Sequence, residues 1–280
     1  MSLAAKLPYD HPYAGGFPGI GSQPLPTDSD CLTYLAAVAA ADGAGVEVGV
    51  ATAVDTFIKA LKATPGLFDA IKASCILCGA RTITGALVPL AGAAPSAEGA
   101  WSSGDYSRTA GMTGDGVALY IDTNVANDSD FSGAVADPQN DNHNAAFITG
   151  IVGGTPVMAS RTSASQNYNY IDFFGGTRLA SRSNNSTVAV APVANTLQGH
   201  SRDNSTAFRY RCSGVSGAVV ATSTTPDNYN VLVLGRNSDP IVMSEHTVAF
   251  YSIGTDIGSA GLAALDTAVN NLISDIGNAL

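Results

Sequence analysis

The apolar positions of the chain change period twice. Between residues 28 and 78 they recur at helical spacing: Cys31, Leu35 and Val38 lie along an Ala-rich run that ends near Asp42-Gly43. A second segment, 46–62, puts Val50, Val54, Phe57, Ile58 and Leu61 on one face and Asp55, Lys59 and Lys62 on the other. Thr27, Asp28 and Ser29 offer side-chain acceptors to cap the first helix. Thr64-Pro65 opens a third, short helix carrying Leu67, Phe68 and Ile71. The spacing predicts a small helical unit over 28–78.

Beyond Gly79 the pattern shortens to apolar or alternating runs at 86–90, 117–121, 145–149, 168–174, 187–190, 207–211, 217–220, 231–236 and 247–253, separated by Gly, Asn and Ser turns. Many short strands at close spacing, with nothing periodic enough between them for a crossover helix, predict an antiparallel sandwich or barrel over 79–258. Residues 259–280 return to helix. Leu262, Leu265, Val269, Leu272, Ile273, Ile276 and Leu280 form a stripe, with Asp266, Asn270, Asn271 and Asp275 opposite. That stripe packs back on the chain's own sandwich or helices, or else associates with other copies through Leu265, Val269, Leu272 and Ile276. Residues 1–27 carry repeated Pro and Gly that forbid a long helix or a central strand. Their Tyr9, Tyr13, Phe17 and Ile20 suit either a floppy tail or an extended assembly arm that orders on another subunit.

Composition narrows the partners. Of 280 residues, 13 are Lys or Arg and 23 are Asp or Glu, a net charge of −10 with only 13% of residues charged. No basic stripe exists to neutralise phosphates, so nucleic acid is excluded as a partner. The same sign disfavours anionic lipid, and no apolar run approaches the roughly 20 residues that span a bilayer. The first ten residues lack a charged region followed by an apolar one, so synthesis in a cytoplasm without a leader is expected. Cys31, Cys75, Cys78 and Cys212 are too few for a disulfide framework. The Cys75-Ile-Leu-Cys78 spacing fits a redox or zinc half-site, but without a second ligand pair or a thioredoxin-like context these thiols are expected to pack as buried hydrophobes.

Three stretches carry a resemblance. Thr113-Gly-Asp-Gly-Val-Ala-Leu-Tyr-Ile-Asp-Thr-Asn resembles the opening strand of laminin-G-like and concanavalin A-like sandwiches. Val248-Ala-Phe-Tyr-Ser-Ile-Gly with the helix after it is similar to their closing strand and helix. The segment 69–90, beginning Asp69-Ala-Ile-Lys-Ala-Ser-Cys, resembles a stretch of tailed-phage virion proteins in which a helical unit leads into such a sandwich. Over residues 28–280 the resemblance implies a jelly-roll, concanavalin A-like sandwich in a phage structural protein, a tail fibre or tail-tip component presenting its sandwich to a host-surface glycan. It implies assembly in the bacterial cytoplasm, contacts with other virion proteins through the arm, and self-association, with a trimer favoured. The alternatives are an architectural capsid decoration or baseplate protein, or a glycan hydrolase on the same fold.

The resemblance also implies Ca2+ held by loop oxygens. Two loops are dense in such ligands: Asp122, Asn124, Asp128 and Asp130 in one, Asp137, Asn140 and Asp141 in the other. Asn and Asp equally serve turn geometry alone. For a glycan, Tyr168, Tyr170 and Tyr229 offer aromatic faces and Arg178 and Arg182 polar heads, unless the tyrosines are ordinary strand surface. Asp105, Asp115, Asp122, Asp172 and Glu245 include no local acid–base pair, Gly-x-Ser-x-Gly is absent, and His11, His143, His200 and His246 stand apart as expected loop or surface residues. No catalytic residue is assigned, and a non-enzymatic protein is expected.

Overall fold

The computed structural model describes residues 25–131, 139–160, 168–174, 176–183, 188–238 and 240–280. The arm residues Tyr9, Tyr13, Phe17 and Ile20, and Asp137 and His11, lie outside them. The fold is mainly β: two sheets form an antiparallel jelly-roll-like sandwich, with helices layered on the outer face of one sheet.

The helices follow the periodic reading closely. Helix α1 (Ser29–Asp42) starts at Asp28, whose side chain accepts from the Asp30 and Cys31 amides, and ends at Gly43 with φ 71°. Helix α2 (Val48–Ala63) buries the face of Val50, Val54, Phe57, Ile58 and Leu61. Its Asp55 does not face solvent as the periodicity implies. It is buried, accepts from the Thr27 and Asp28 amides at 3.0 and 2.8 Å, and pairs with Lys59, which ties the N-terminal approach to α2. Helix α3 (Leu67–Ala70) is only one turn, and Ile71 begins strand β1 (Ile71–Ile76), so the helical unit ends earlier than 78 and the sandwich begins before 79. A further turn, α4 (Ile83–Ala86), replaces the start of the strand expected at 86–90. Helix α5 (Gly258–Ala279) closes the chain, and no helix among the described residues is long and apolar enough to cross a membrane.

Strand β1 is followed by β2 (Pro89–Ala91), β3 (Ser96–Glu98), β4 (Tyr106–Ser107), β5 (Gly111–Thr113), β6 (Tyr120–Ala126), β7 (Asn142–Gly150), β8 (Pro156–Ser160) and β9 (Tyr168–Asp172). Then come β10 (Arg178–Ser183), β11 (Thr196–Arg202), β12 (Ala207–Cys212), β13 (Val215–Val220), β14 (Asn230–Val233), β15 (Gly235–Asn237), β16 (Val242–Met243) and β17 (Thr247–Gly254). The first sheet runs β13-β12-β11-β7-β17-β1-β2, with β5 on β17 and β4 on β5. The second runs β10-β9-β8-β14-β6-β3, with β15 and β16 appended through β8. Among the described residues every strand pairing is antiparallel except β15 with β8.

Two apolar cores result. Phe57, Leu61, Leu265, Val269, Leu272 and Ile276 of the helices meet Phe147, Leu197 and Phe250 of the first sheet, with Phe57 and Phe250 edge to face at 5.7 Å. The C-terminal stripe is therefore spent inside its own chain, against α2, β11 and β12. This corrects the expectation that Leu265, Val269, Leu272 and Ile276 form an assembly surface. The helical unit shares that core with the sheet and is not a separate domain. The second core, between the sheets, holds Ile148, Met158, Ile171, Leu179, Phe208 and Tyr251. Cys75 faces the inter-sheet core and Cys78 the helix-side core, so the two thiols of the Cys-x-x-Cys spacing point to opposite sides of the sheet.

Candidate functional site: the polar end of the sandwich

Along β7 and β11 the inter-sheet face changes chemistry. Ile148 and Ala146 of β7 belong to the apolar core, and strict alternation continues that face through Asn144 to Asn142. On β11 the same face carries Gln198, His200 and Arg202, with Arg202 directly opposite Asn142 and His200 opposite Asn144. The facing strands turn polar at the same level: Ser160 ends β8, Asn169 follows the start of β9, and Ser181 lies near the end of β10. Ser181 Oγ donates to Asn142 Oδ1 at 2.9 Å across the sheets. Arg202 Nε donates to the Ser181 carbonyl at 2.7 Å, its other nitrogens reach the Asn204 and Ala221 carbonyls at 2.9 and 3.0 Å, and its guanidinium stacks 5.5 Å from the Phe208 ring centre. Burial draws this Arg down to about 10, against the opposing pull of the Asp203 charge.

At the rim of this end stands Asp227. Its Oδ1 accepts from Ser160 Oγ at 2.7 Å and from Asn127 Nδ2 and the Tyr229 amide at 3.4 Å. Asn127 Oδ1 in turn accepts from Asn169 Nδ2 at 2.6 Å and Arg182 Nε at 3.3 Å. The backbone of Tyr229 completes the cluster, its carbonyl accepting from the Asn127 amide at 2.9 Å and from Ser160 Oγ at 3.1 Å, while the residue as a whole is 43% exposed. Two acceptors of the cluster, Asp227 Oδ2 and Asn169 Oδ1, are shielded from solvent and bonded to nothing in the described chain. Deeper in, both polar atoms of the Asn144 amide and both ring nitrogens of His200 are in the same condition. Burial holds His200 neutral, its pKa drawn down to about 3, with the Arg202 and Arg182 charges adding to the effect. Left unbonded, each such group costs about 1–3 kcal/mol. The arrangement is a set of oriented acceptors, an amide and a hydroxyl converging on the backbone of the exposed residue Tyr229.

Of the glycan candidates, the structure brings Arg182 and Tyr229 to this end, and Tyr168 leads the adjoining strand. Tyr170 and Arg178 are elsewhere. Tyr170 is buried on the outer face of the second sheet with Ala159 and Ala180, and Arg178 stacks on Tyr170 and Phe174 while pairing with Asp172. Tyr170 therefore presents no face to a sugar.

The calcium candidates do not assemble. Asp122 lies in the second sheet, where its carboxylate accepts from Asn230 Nδ2 at 2.9 and 3.2 Å and from the Asn124 amide. Asn124 donates to the Ala94 carbonyl and Ser96. Asp141 adjoins Asn140 at the start of β7 in the other sheet and accepts from the Asp256 amide at 2.6 Å. Asp128 and Asp130 sit in the turn after β6. Among the described residues no three His, Cys, Asp or Glu side chains group to hold a metal, and this donor set does not fit Ca2+. The turn reading of Asp122 and Asn124 describes what they do.

The histidines correct another expectation, since His143, His200 and His246 are all fully buried. His246 accepts from the Val152 amide at 3.1 Å and reaches the Thr155 carbonyl at 3.0 Å, locking a loop to the sheet. The polar end itself escaped the sequence reading because its strands carry little apolar signal. β10 and β11 lie between the apolar runs that the pattern predicts, and β7 opens on the polar residues Asn142, His143 and Asn144. The one usable signal was the two-residue alternation running backwards from Ile148.

No family model and no curated protein sequence matches the chain. Among solved structures it is similar to a mutant of Trypanosoma rangeli sialidase displaying trans-sialidase activity, with a TM-score of 0.51 and 9% identity over 80% of this chain and 38% of that one. It thus spans well under half of that protein's length, and at this identity the likeness carries the fold alone. A looser likeness, to domain 4 of an extracellular arabinanase from Geobacillus stearothermophilus in complex with arabinotriose, has a TM-score of 0.35 and 12% identity over 53% of this chain and 72% of that one. At that score it carries no argument. The sialidase likeness corrects the expectation of a non-enzymatic protein: the sandwich is shared with an enzyme, so an absence of local catalytic motifs gives no ground for setting catalysis aside.

Proposed function

We propose that this chain is a glycan-processing protein that takes a sugar at the polar end of its sandwich, with Asp227 as the group closest to the bound ligand. The observation that carries the reading is the pair of shielded, unbonded acceptors, Asp227 Oδ2 and Asn169 Oδ1, in the cluster that the backbone of the exposed residue Tyr229 completes. Sugars present hydroxyl donors beside an apolar ring face, and an oriented carboxylate and amide next to an aromatic match both features. Ser160 and Asn127 fix one oxygen of Asp227 and so aim the other. Placement on a phage particle, where such a sandwich meets a host-surface glycan, belongs to the same proposal. Its support is the sequence resemblance and the uncharged Asn, Ser and Thr surface.

A glycan array with the full chain, followed by calorimetry on any retained sugar, tests the reading. D227N, which keeps shape and removes charge, and Y229A are each expected to weaken binding at least about tenfold, roughly 1.4 kcal/mol. Mass spectrometry of the sugars after incubation separates cleavage from recognition, and turnover is expected to vanish in D227N. The proposal fails if no glycan is retained or altered, or if D227N binds like the wild type.

A further inference from the structure

Strand β13 is the end strand of the first sheet, and among the described residues nothing pairs with its outer side. Its hairpin with β12 turns through Ser213 and Gly214 at φ 49° and 79°, a two-residue turn of the mirror-image kind that hairpins favour. In that register Cys212 faces Val215, Tyr210 faces Gly217 and Phe208 faces Val219, and the Ala221 amide continues the series by donating to the Thr206 carbonyl at 2.9 Å. The odd-numbered residues therefore spend their backbone groups on β12. The N–H and C=O groups of Ser216, Ala218 and Val220 point away from the sheet.

Three properties make this edge fit itself. It is Val-Ser-Gly-Ala-Val-Val, with no charge, no proline and no irregularity in its register with β12, so it lacks the devices that normally block edge pairing. Val220 is 91% and Val215 47% exposed on a chain of net charge −10. Self-pairing would set any charge on the strand near its own copy, and this strand has none to repel. The outward groups also recur at every second residue symmetrically about Ala218. A copy turned by a two-fold axis through Ala218 opposes Ser216 to Val220, Ala218 to Ala218 and Val220 to Ser216, and each position exchanges a pair of backbone hydrogen bonds. Ala218 is small and exposed, so its own side chain leaves the axis open.

We propose that two copies of this chain associate through antiparallel pairing of β13, centred on Ala218, joining their first sheets into one continuous sheet. The pairing closes at two copies and leaves the polar end of each sandwich unused, so it stands independently of the glycan reading.

Sedimentation and light scattering of the full chain into the high micromolar range test it. The wild type is expected at twice the single-chain mass of 28.3 kDa. A218P removes an outward N–H that β12 does not use, and A218K sets two ammonium groups face to face; both are expected at the single-chain mass with unchanged circular dichroism. A218E alone behaves likewise, and mixing A218K with A218E restores the doubled mass. A218C is expected to cross-link under mild oxidation, since the two α-carbons of such a pair stand about 5.5 Å apart. V117K, a charge at an exposed valine off the strand, leaves the doubled mass unchanged. A single-chain mass for the wild type, an assembly of three, or a doubled mass that survives A218K overturns the proposal.

Discussion

His143 Nε2 lies 2.7 Å from Ser252 Oγ across the β7–β17 pair, and the other ring nitrogen lies 2.6 Å from the Thr255 carbonyl. Only one arrangement satisfies both contacts: Nδ1–H donates to the carbonyl, and Nε2 accepts from the serine hydroxyl. Spacing of this kind also occurs in nucleophilic dyads. Here both side chains are fully buried under the helical layer, and the neutral ring, its pKa held down to about 4 by burial, fastens the end of β17 to β7.

The two buried histidines of β7 and β11 should respond oppositely to removal. His143→Leu strands the Ser252 hydroxyl and the Thr255 carbonyl and is expected to cost about 2–4 kcal/mol. His200→Leu removes a ring with no hydrogen bonds and is expected to be neutral or stabilising by about 1 kcal/mol. Urea titrations of the two variants at neutral pH check the contrast.

Both rings also predict acid lability. The folded pKa values, about 4 for His143 and about 3 for His200, lie below the unfolded value of 6.5. The unfolded state therefore binds more protons, and stability is complete above pH 6.5 and falls as the pH drops through the window toward 4 and then 3. For His143 the loss amounts to roughly 3 kcal/mol. Ionised carboxylates such as Glu47, held low by its hydrogen bond to Arg108, fade in the same direction, so the histidine share is the difference between wild type and His200→Leu. Thermal melts from pH 7.5 to 4 should show a shallower acid limb for the variant.

The C-terminal helix is bolted to the sheet by one buried carboxylate. Asp266 accepts from Arg211 Nε at 2.7 Å, from the Leu197 amide at 3.4 Å and from Asn270 at 2.7 Å. Asp266→Ala leaves a largely buried guanidinium and a strand amide without partners, and is expected to cost about 3 kcal/mol. Asp266→Asn, which keeps the shape, should cost less. Denaturant midpoints with unchanged slopes would confirm both.

Gly254 is required where β17 leaves the sheet, because a Cβ there would stand 1.9 Å from the Ala70 carbonyl oxygen and 2.9 Å from the His143 ring. Backbone on one side and a locked ring on the other cannot yield, so Gly254→Ala is expected to be among the most damaging single-methyl substitutions, at more than about 3 kcal/mol. Soluble expression and melting temperature report it.

The thiols should be silent in the native state. Burial pushes Cys31, Cys75 and Cys78 up to about 12 and raises Cys212 as well, and all four are free and buried. Titration with a chromogenic disulfide is expected to find no fast-reacting group in the folded protein and four in denaturant. Zinc should not protect Cys75 and Cys78, because they lie on opposite faces of the sheet.

Local pattern was enough for the helices, for the apolar strands and for the sandwich class, because each is encoded in a period that neighbouring residues carry together. The apolar face of α2, the cap at Asp28 and the stripe of α5 were all legible in this way. The stripe's destination was not: Leu265 and Ile276 would suit a coil between copies equally well, and only the position of α2 and the first sheet decides that they are spent internally. Polar residues hide the rest. Asp55 and Asp266 read as solvent-facing because their partners lie 27–28 and 55 residues away, and β11 read as loop because its buried face is Gln198, His200 and Arg202. Burying such groups becomes tolerable only when partners from distant strands arrive together. That makes the polar end with Asp227, Asn127 and Asn169 a property of the tertiary structure, beyond the reach of any local period.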